Sequence, residues 1–190
     1  MNAPFKTSET HPLEIHAVAT PGGGAIGLCM APGKYHDPSI TGPWDRDLDV
    51  DFDAIEAFGA TQVITLMEAD ELDGVKIPVR RMRAVCVRRA IHWRHWPIVD
   101  FQTPDAAFEE LWIQGAGDVC ETLAEGGRVI VHCRGGRGRS GLVAARLLIE
   151  MGLSNEEAFA AVRAAQPLAM ETPVQEDHVR GFKPVLGLKG

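Results

Sequence analysis

Cys133 and Arg139 enclose the stretch "RGGRG", two further arginines and three glycines, and Ser140 and Gly141 follow. The chain as a whole is acidic, with a formal net charge of -7, so this concentration of positive charge needs a local reason. Glycines let a backbone curl until successive N–H groups point inward. A loop that feeds a helix N-terminus adds partial positive charge. Such a cup binds a tetrahedral dianion. Gly135, Gly136 and Gly138 supply the bare backbone, Arg134 and Arg137 raise the potential, and Arg139 is spaced to return and grip two phosphate oxygens in a fork. The same field acts on the thiol. A free cysteine, with a pKa near ~8.5, is only a few per cent thiolate at neutral pH. At a helix N-terminus beside arginines the value falls to roughly 3.5–7.5. Cys133 is therefore expected as a nucleophile toward phosphorus.

A phosphoester's leaving oxygen needs a proton, so a carboxylic acid is expected over the cup. Upstream, "HWPIVDFQTPD" offers Asp100 and Asp105. Asp105 has a structural place in the first turn of the next helix. Asp100 lies on a loop with no such duty and is the expected acid. Ser140 is placed to donate a hydrogen bond to the departing thiolate or to cap the helix behind it. His132 is expected to orient the loop from behind rather than to act as acid or base. The remaining histidines form no ligand pattern, and the cysteines at 29, 86, 120 and 133 have no zinc spacing. No metal and no cofactor is expected.

Definite elements must present these groups. "RVIVH" (128–132) reads as a short buried strand, and the stretch from the glycine loop to Gly152 as a helix. Residues 13–18, 25–30, 62–67 and 91–98 read as strands. A loop is expected over 31–47 and helices over 49–59 and 78–90, the latter with Met82, Val85 and Cys86 inward. Its arginines (80, 81, 83, 88 and 89) read as a solvated face. Thr103, Pro104 and Asp105 mark the start of a helix to about Glu125, with Thr103 as N-cap. Ser154 and Glu157 form a capping box, and Thr172-Pro173 begins a last helix. Strands alternating with helices, then helices alone, give an α/β fold with a helical C-terminal layer.

The 190 residues, with 45% hydrophobic and 24% charged content, suit one domain over 1–190, with 1–12 a flexible lead-in. The acidic balance argues against nucleic acid and against stable membrane association. The N-terminus lacks a signal-peptide pattern, no apolar run is long enough to span a bilayer, and the terminal "GLKG" carries no lipidation signal. A reducing, cytoplasmic setting is the expectation. These features leave the oligomeric state open.

The order His132-Cys133-x5-Arg139-Ser140 resembles the active-site pattern of cysteine-dependent protein phosphatases. Its late position in the chain is similar to the dual-specificity branch. "PIVDFQTPD" resembles the acid loop of the cyclin-dependent-kinase-associated phosphatases, also called the cyclin-dependent kinase inhibitor 3 family. "HCRGGRGRSGLVAARLL" resembles their loop and helix, with Gly141 where that family often has cysteine. The resemblance implies a protein tyrosine phosphatase-like fold with a mostly parallel central sheet flanked by helices. It implies a phosphocysteine intermediate, with Asp100 as acid. It also implies that Gln175 orients the hydrolytic water, although the residues alone equally allow a capping box with Thr172. Glu171 stands where the family more commonly has a glutamine. The substrate is expected to be a phosphorylated protein or a small phosphomonoester. A phosphoinositide phosphatase and a module that binds phosphorylated partners without turnover are the alternatives.

Overall fold

The computed structural model describes residues 4–37 and 41–187. The strands are β1 (His16–Ala19), β2 (Ala25–Met30), β3 (Tyr35–His36), β4 (Trp44–Asp45), β5 (Ala60–Thr65), β6 (His92–His95) and β7 (Arg128–Cys133). The helices are α1 (Leu48–Phe58), α2 (Ala69–Gly74), α3 (Val79–Arg88), α4 (Ala106–Ala124), α5 (Gly138–Glu150), α6 (Asn155–Ala165) and α7 (Pro173–Gly181). Five strands form one sheet in the order β1-β2-β7-β5-β6, parallel except for the β1–β2 edge pair. The fold is thus the mostly parallel α/β arrangement with C-terminal helices.

β7 lies at the centre, and every one of its residues after Arg128 is buried, as a strand covered on both sides requires. Val129, Val131 and Cys133 join the core shared with α4, α5 and α6, whereas Ile130 joins the core formed by α1, α2 and α3. Helix α5 is buried along its whole length. Its Glu150 accepts hydrogen bonds from Trp112 Nε1 (3.2 Å) and from the backbone N–H groups of Val185 (3.1 Å) and Leu186 (3.0 Å). Its Arg146 pairs with Glu109 at 2.7 Å and lies 4.3 Å from the Trp112 ring centroid. These contacts fasten α4 and the C-terminal segment around the helix that begins at the glycine loop.

Several expectations needed correction. Asp105, not Thr103, is the N-cap of α4, with its carboxylate accepting from Phe108 N at 2.9 Å. The short helix α2 follows β5 where no helix was expected. The expected loop over 31–47 contains the β3–β4 ribbon, and residues 38–40 lie outside the described residues. Much of the expected flexible lead-in is hydrogen-bonded to this ribbon: Lys6 N to Pro43 O (2.9 Å), Asp45 N to Lys6 O (3.0 Å) and Asp47 N to Ser8 Oγ (2.9 Å). Residues 1–3, and 188–190 of the "GLKG" end, lie outside the described residues. No helix among the described residues is long and apolar enough to cross a membrane.

Four segments leave the C-terminal ends of the parallel strands, where open α/β sheets bind ligands. Lys34 follows β2, Glu71 follows β5, Asp100 follows β6, and the glycine loop with Arg139 follows β7. The segment after β2 is pinned by a buried ion pair. Arg46 donates to Asp51 through Nε (2.8 Å) and Nη2 (2.7 Å), and Asp51 also accepts from Gly33 N at 2.8 Å. Both side chains are almost fully out of water. Removing one member of such a pair leaves an uncompensated buried charge, which costs about 3–5 kcal/mol. Asp51→Ala should therefore lower the unfolding free energy by an amount in that range and shift the urea midpoint down accordingly. An unchanged midpoint would show that the pair does not hold this segment.

Candidate active site

β7 ends at Cys133, and the chain curls at once beneath the N-terminus of α5. Gly136 makes the curl possible. Its φ is +72°, and a Cβ there would lie 2.4 Å from the carbonyl carbon of Cys29. Any other residue would be strained in its backbone and would collide with β2. Cys133 is buried, and its Sγ lies 3.6 Å from Ser140 Oγ. Ser140 does not cap the helix: the N-cap position is Arg137, which makes no side-chain cap bond.

Arg139 is 1% exposed. Its Nη1 donates to Glu71 Oε2 (2.5 Å), Ile98 O (2.9 Å) and Leu66 O (3.4 Å). Its Nη2 meets Glu71 Oε1 (3.0 Å) and Asp100 Oδ1 (2.9 Å). Nε is buried and has no hydrogen-bond partner among the described residues. Burial alone would lower the Arg139 pKa, but the Glu71 hydrogen bond and the charges of Cys133, Glu71 and Asp100 outweigh it and raise it. Glu71 shows the converse. Burial pushes its carboxyl up, yet the bonds from Arg139 and Glu68 N and the charges of Arg139 and Arg134 hold it below the usual range.

Sequence reasoning missed Glu71. It also accepts from Glu68 N at 3.0 Å, closing the capping box of α2. That helix has six residues, too few to show a period, and it is capped by a glutamate rather than by a common N-cap type. A glutamate three residues after another was the one available signal.

Asp100 is half-buried, and its Oδ1 also accepts from Phe101 N at 3.1 Å. Phe101 has φ +60°, a left-handed conformation that costs energy in a non-glycine residue and is held by surrounding contacts. Thr172 Oγ1 donates to Phe101 O at 3.3 Å, and Gln175 Nε2 to Gln102 O at 3.2 Å. The acid loop is thus tied to the start of α7. Gln175 is fully buried, and its Oε1 has no partner and lies 2.9 Å from where a Cβ on Gly138 would stand. Its side chain does not return to Thr172, so α7 has no capping box. It points at the start of α5. Glu171 Oε2 accepts from Gly138 N at 3.1 Å.

His132 is buried behind the loop, with Nε2 2.7 Å from Thr65 Oγ1, which also accepts from Trp93 Nε1 at 2.9 Å. Burial, reinforced by the charge of Arg139, pushes its pKa down to about 3. Arg134 is partly exposed and lies 3.7 Å from Glu71. Arg137 lines a shallow groove with Arg163, Leu168 and Glu171. The other cysteines are buried and free, and burial pushes the thiols of Cys86 and Cys120 up to about 12. Cys29 is in register with His132 and packs in the other core from Cys133. No group of three or more metal-ligating side chains occurs among the described residues.

A family model described as "PTP-SAK: Swiss Army Knife protein, DSP-PTPase phosphatase domain" matches residues 45–180, the span from β4 through α7. The chain belongs to this family. Cyclin-dependent kinase inhibitor 3 of Rattus norvegicus is 28% identical over 166 residues, covering 83% of this chain and 71% of that protein. The Homo sapiens protein of the same name is 27% identical over 169 residues, with the same coverage. A solved kinase associated phosphatase, with serine in place of its catalytic-site cysteine, superposes with a TM-score of 0.75. It is 24% identical and covers 88% of this chain and 92% of its own. The active form of Tk-PTP gives a TM-score of 0.56 at 26% identity, covering 85% and 92%. The phosphatase is therefore a cysteine-dependent enzyme of the dual-specificity class with the protein tyrosine phosphatase fold.

The buried His132 makes stability depend on pH. In the folded phosphatase it stays neutral down to about pH 3, whereas the ordinary value is 6.5. Between those values the unfolded chain binds one more proton, so stability falls as pH drops from about 6.5. This group should contribute a slope of about 1.4 kcal/mol per pH unit. Urea unfolding from about pH 7 to pH 4 should show that slope in the wild type and a shallower one in His132→Asn. Equal slopes would contradict the assignment of a buried neutral imidazole.

Proposed function

We propose that this phosphatase hydrolyses phosphoprotein monoesters through a phosphocysteine formed on Cys133. The reading is carried by one observation, the state of Arg139. Its Nη1 edge is committed to Glu71 and two backbone carbonyls, whereas buried Nε has no hydrogen-bond partner among the described residues and Nη2 is shared with Asp100. A phosphate fills the Nε–Nη2 fork and displaces Asp100. Once released from Arg139, Asp100 takes up a proton from water and delivers it to the leaving oxygen as the Cys133 sulfur bonds to phosphorus and the P–O ester bond breaks. Ser140 donates to the sulfur when the thiophosphate breaks, and Gln175 orients the attacking water. His132 holds the loop by its bond to Thr65. Gly135, Gly136 and Gly138 present amides to the phosphate, and Arg134 and Arg137 supply the surrounding positive charge. Glu171 occupies the Gly138 N–H until substrate arrives.

For the substrate class, two features favour a phosphorylated protein over an inositol phosphate. The similar cyclin-dependent kinase inhibitor 3 proteins and the kinase associated phosphatase are named for kinases. The rim also carries exposed apolar side chains: Val99 and Phe101 flank Asp100, and Leu168 lies in the Arg137 groove. Such side chains suit a peptide better than a polyhydroxylated polyanion. On this reading the chain acts as one domain, in the cytoplasm, without cofactor, metal or nucleic acid.

Two variants test the chemistry. Cys133→Ser should abolish turnover of phosphotyrosyl and phosphothreonyl peptides while still binding them, as followed by phosphate release and by titration. Wild-type turnover in that variant would remove Cys133 as nucleophile. Asp100→Asn should slow alkyl phosphoesters by about 10²–10⁴-fold and activated aryl phosphates much less. Equal slowing of both would discredit the acid assignment, and faster turnover of inositol phosphates than of peptides would overturn the substrate class.

A further inference from the structure

Lys34 is the only buried lysine among the described residues, at 4% exposure. It follows β2 by a turn and lies between the Trp44 ring (5.2 Å to its centroid) and the glycine loop. Its Nζ donates to Arg134 O at 3.2 Å, an oxygen that also accepts a longer bond from Ala31 N at 3.5 Å. No salt bridge joins it to a carboxylate among the described residues, because the nearby buried carboxylate, Asp51, is taken up by Arg46 and by Gly33 N. Its place is nonetheless built. Asp51 fixes the peptide just before it, and Arg46 N donates to Lys34 O at 3.1 Å. A buried ammonium without a carboxylate partner needs another anion. The anions this site offers are the sulfur of Cys133 and the substrate phosphate.

We propose that Lys34 is a positioning residue of the active site, holding the Arg134 carbonyl outward and supplying a positive charge beneath the phosphate cup. In a trans peptide the C=O and the following N–H point in opposite directions. Anchoring Arg134 O on Lys34 therefore turns the Gly135 N–H away from Lys34, into the loop. The charge adds to that of the arginines from a side they do not occupy. This inference rests on the reading of Cys133 as the nucleophile.

The groups facing Lys34 are Cys133, Arg134 and Arg137 of the loop, Arg46 beyond β4, His36 of β3, Asp51 of α1 through Arg46, and the Trp44 ring. Burial pulls the Lys34 pKa down to about 8; the charge of Cys133 opposes this and the three arginines reinforce it. Burial and the charges of Arg134 and Lys34 keep His36 below its ordinary value, so it is already neutral at that pH. Lys34 is thus charged below about pH 8 and loses its charge above it.

The test is kcat/KM for an aryl phosphate from about pH 5 to pH 9.5, measured on the full chain and on Lys34→Met and Lys34→Arg. The wild type should fall along an alkaline limb centred near pH 8. Lys34→Met should lower the plateau about tenfold, the effect of one pKa unit of lost interaction, and should lack the limb. Lys34→Arg should recover part of the plateau and also lack the limb, because guanidinium does not titrate in this range. Near-ultraviolet circular dichroism establishes that both variants are folded, and the wild-type profile needs no variant at all. A wild type without the limb, or a Lys34→Met variant that keeps the wild-type plateau and limb, would overturn the proposal. Cys133→Ser, assayed in parallel, separates the two readings. If it is inactive, a failure at Lys34 concerns Lys34 alone; if it turns over, the nucleophile assignment has failed.

Discussion

A buried guanidinium must find acceptors for its N–H groups from whatever elements surround it, and this requirement organises the active end of the sheet. Arg139 draws Glu71 from the segment after β5, Asp100 and the carbonyl of Ile98 from the segment after β6, and the carbonyl of Leu66 from the end of β5. None of these partners is near Arg139 in the chain; Glu71 is 68 residues away. The parallel sheet brings them together, because parallel strands all end on one side. The cup is therefore a consequence of sheet order as much as of the glycine loop itself.

Comparison with the other buried arginines separates structural pairing from functional pairing. Arg46 has its Nε, Nη1 and Nη2 bonded, two to Asp51 and one to the carbonyl of His11. Arg146 chelates Glu109 and is otherwise enclosed by the rings of Trp112 and Phe182, at 4.3 and 4.2 Å. Arg146 Nε, like Arg139 Nε, has no hydrogen-bond partner among the described residues, so it is the second, shared carboxylate rather than the bare Nε that sets Arg139 apart from these two. Arg139 has one bidentate carboxylate, Glu71, and a second, half-buried carboxylate, Asp100, held by a single oxygen. A cation anchored on one edge and provisionally occupied on the other is suited to exchange one anion for another. The buried Lys34, with no carboxylate partner among the described residues, extends the same logic to the opposite side of the loop.

Much of the site was legible because its chemistry is local in sequence. The run from β7 through the loop into α5 reads as strand, glycine cup and helix without reference to the rest of the chain, and His132 behind the loop follows from strand alternation. Asp100 was legible by elimination, since Asp105 had helix work to do. Glu71 was not, because its partner is far away in sequence and its helix too short to have a period. The misplaced start of α4 has a tertiary cause. Thr103-Pro104 is a good local helix start, but the carbonyls of Phe101 and Gln102 are engaged by Thr172 and Gln175. That engagement keeps the chain out of the helix until Asp105, a second suitable cap, takes over. The packed lead-in was missed because its polar composition gives no sign that backbone pairing with Pro43 and Asp45 will order it.

The two departures from the resembled pattern, Gly141 and Glu171, have a common explanation. A Cβ on Gly141 would lie 2.6 Å from the Cβ of Ala169, so a larger residue there would push the segment before α7 away from α5. With glycine, that segment closes in, Met170 is held with φ +55° and its N–H on Arg137 O, and Glu171 reaches the Gly138 N–H. A glutamine in its place would carry no charge. The carboxylate fills an anion-binding amide at the start of α5, as Asp100 fills a place on Arg139. With Glu71, three carboxylates then face the positive groups of the cup. An acidic chain thereby contains a strongly basic pocket without leaving it uncompensated. On the proposed chemistry phosphate displaces two of the three carboxylates, and Glu71, which holds the far edge of Arg139, is the one that stays.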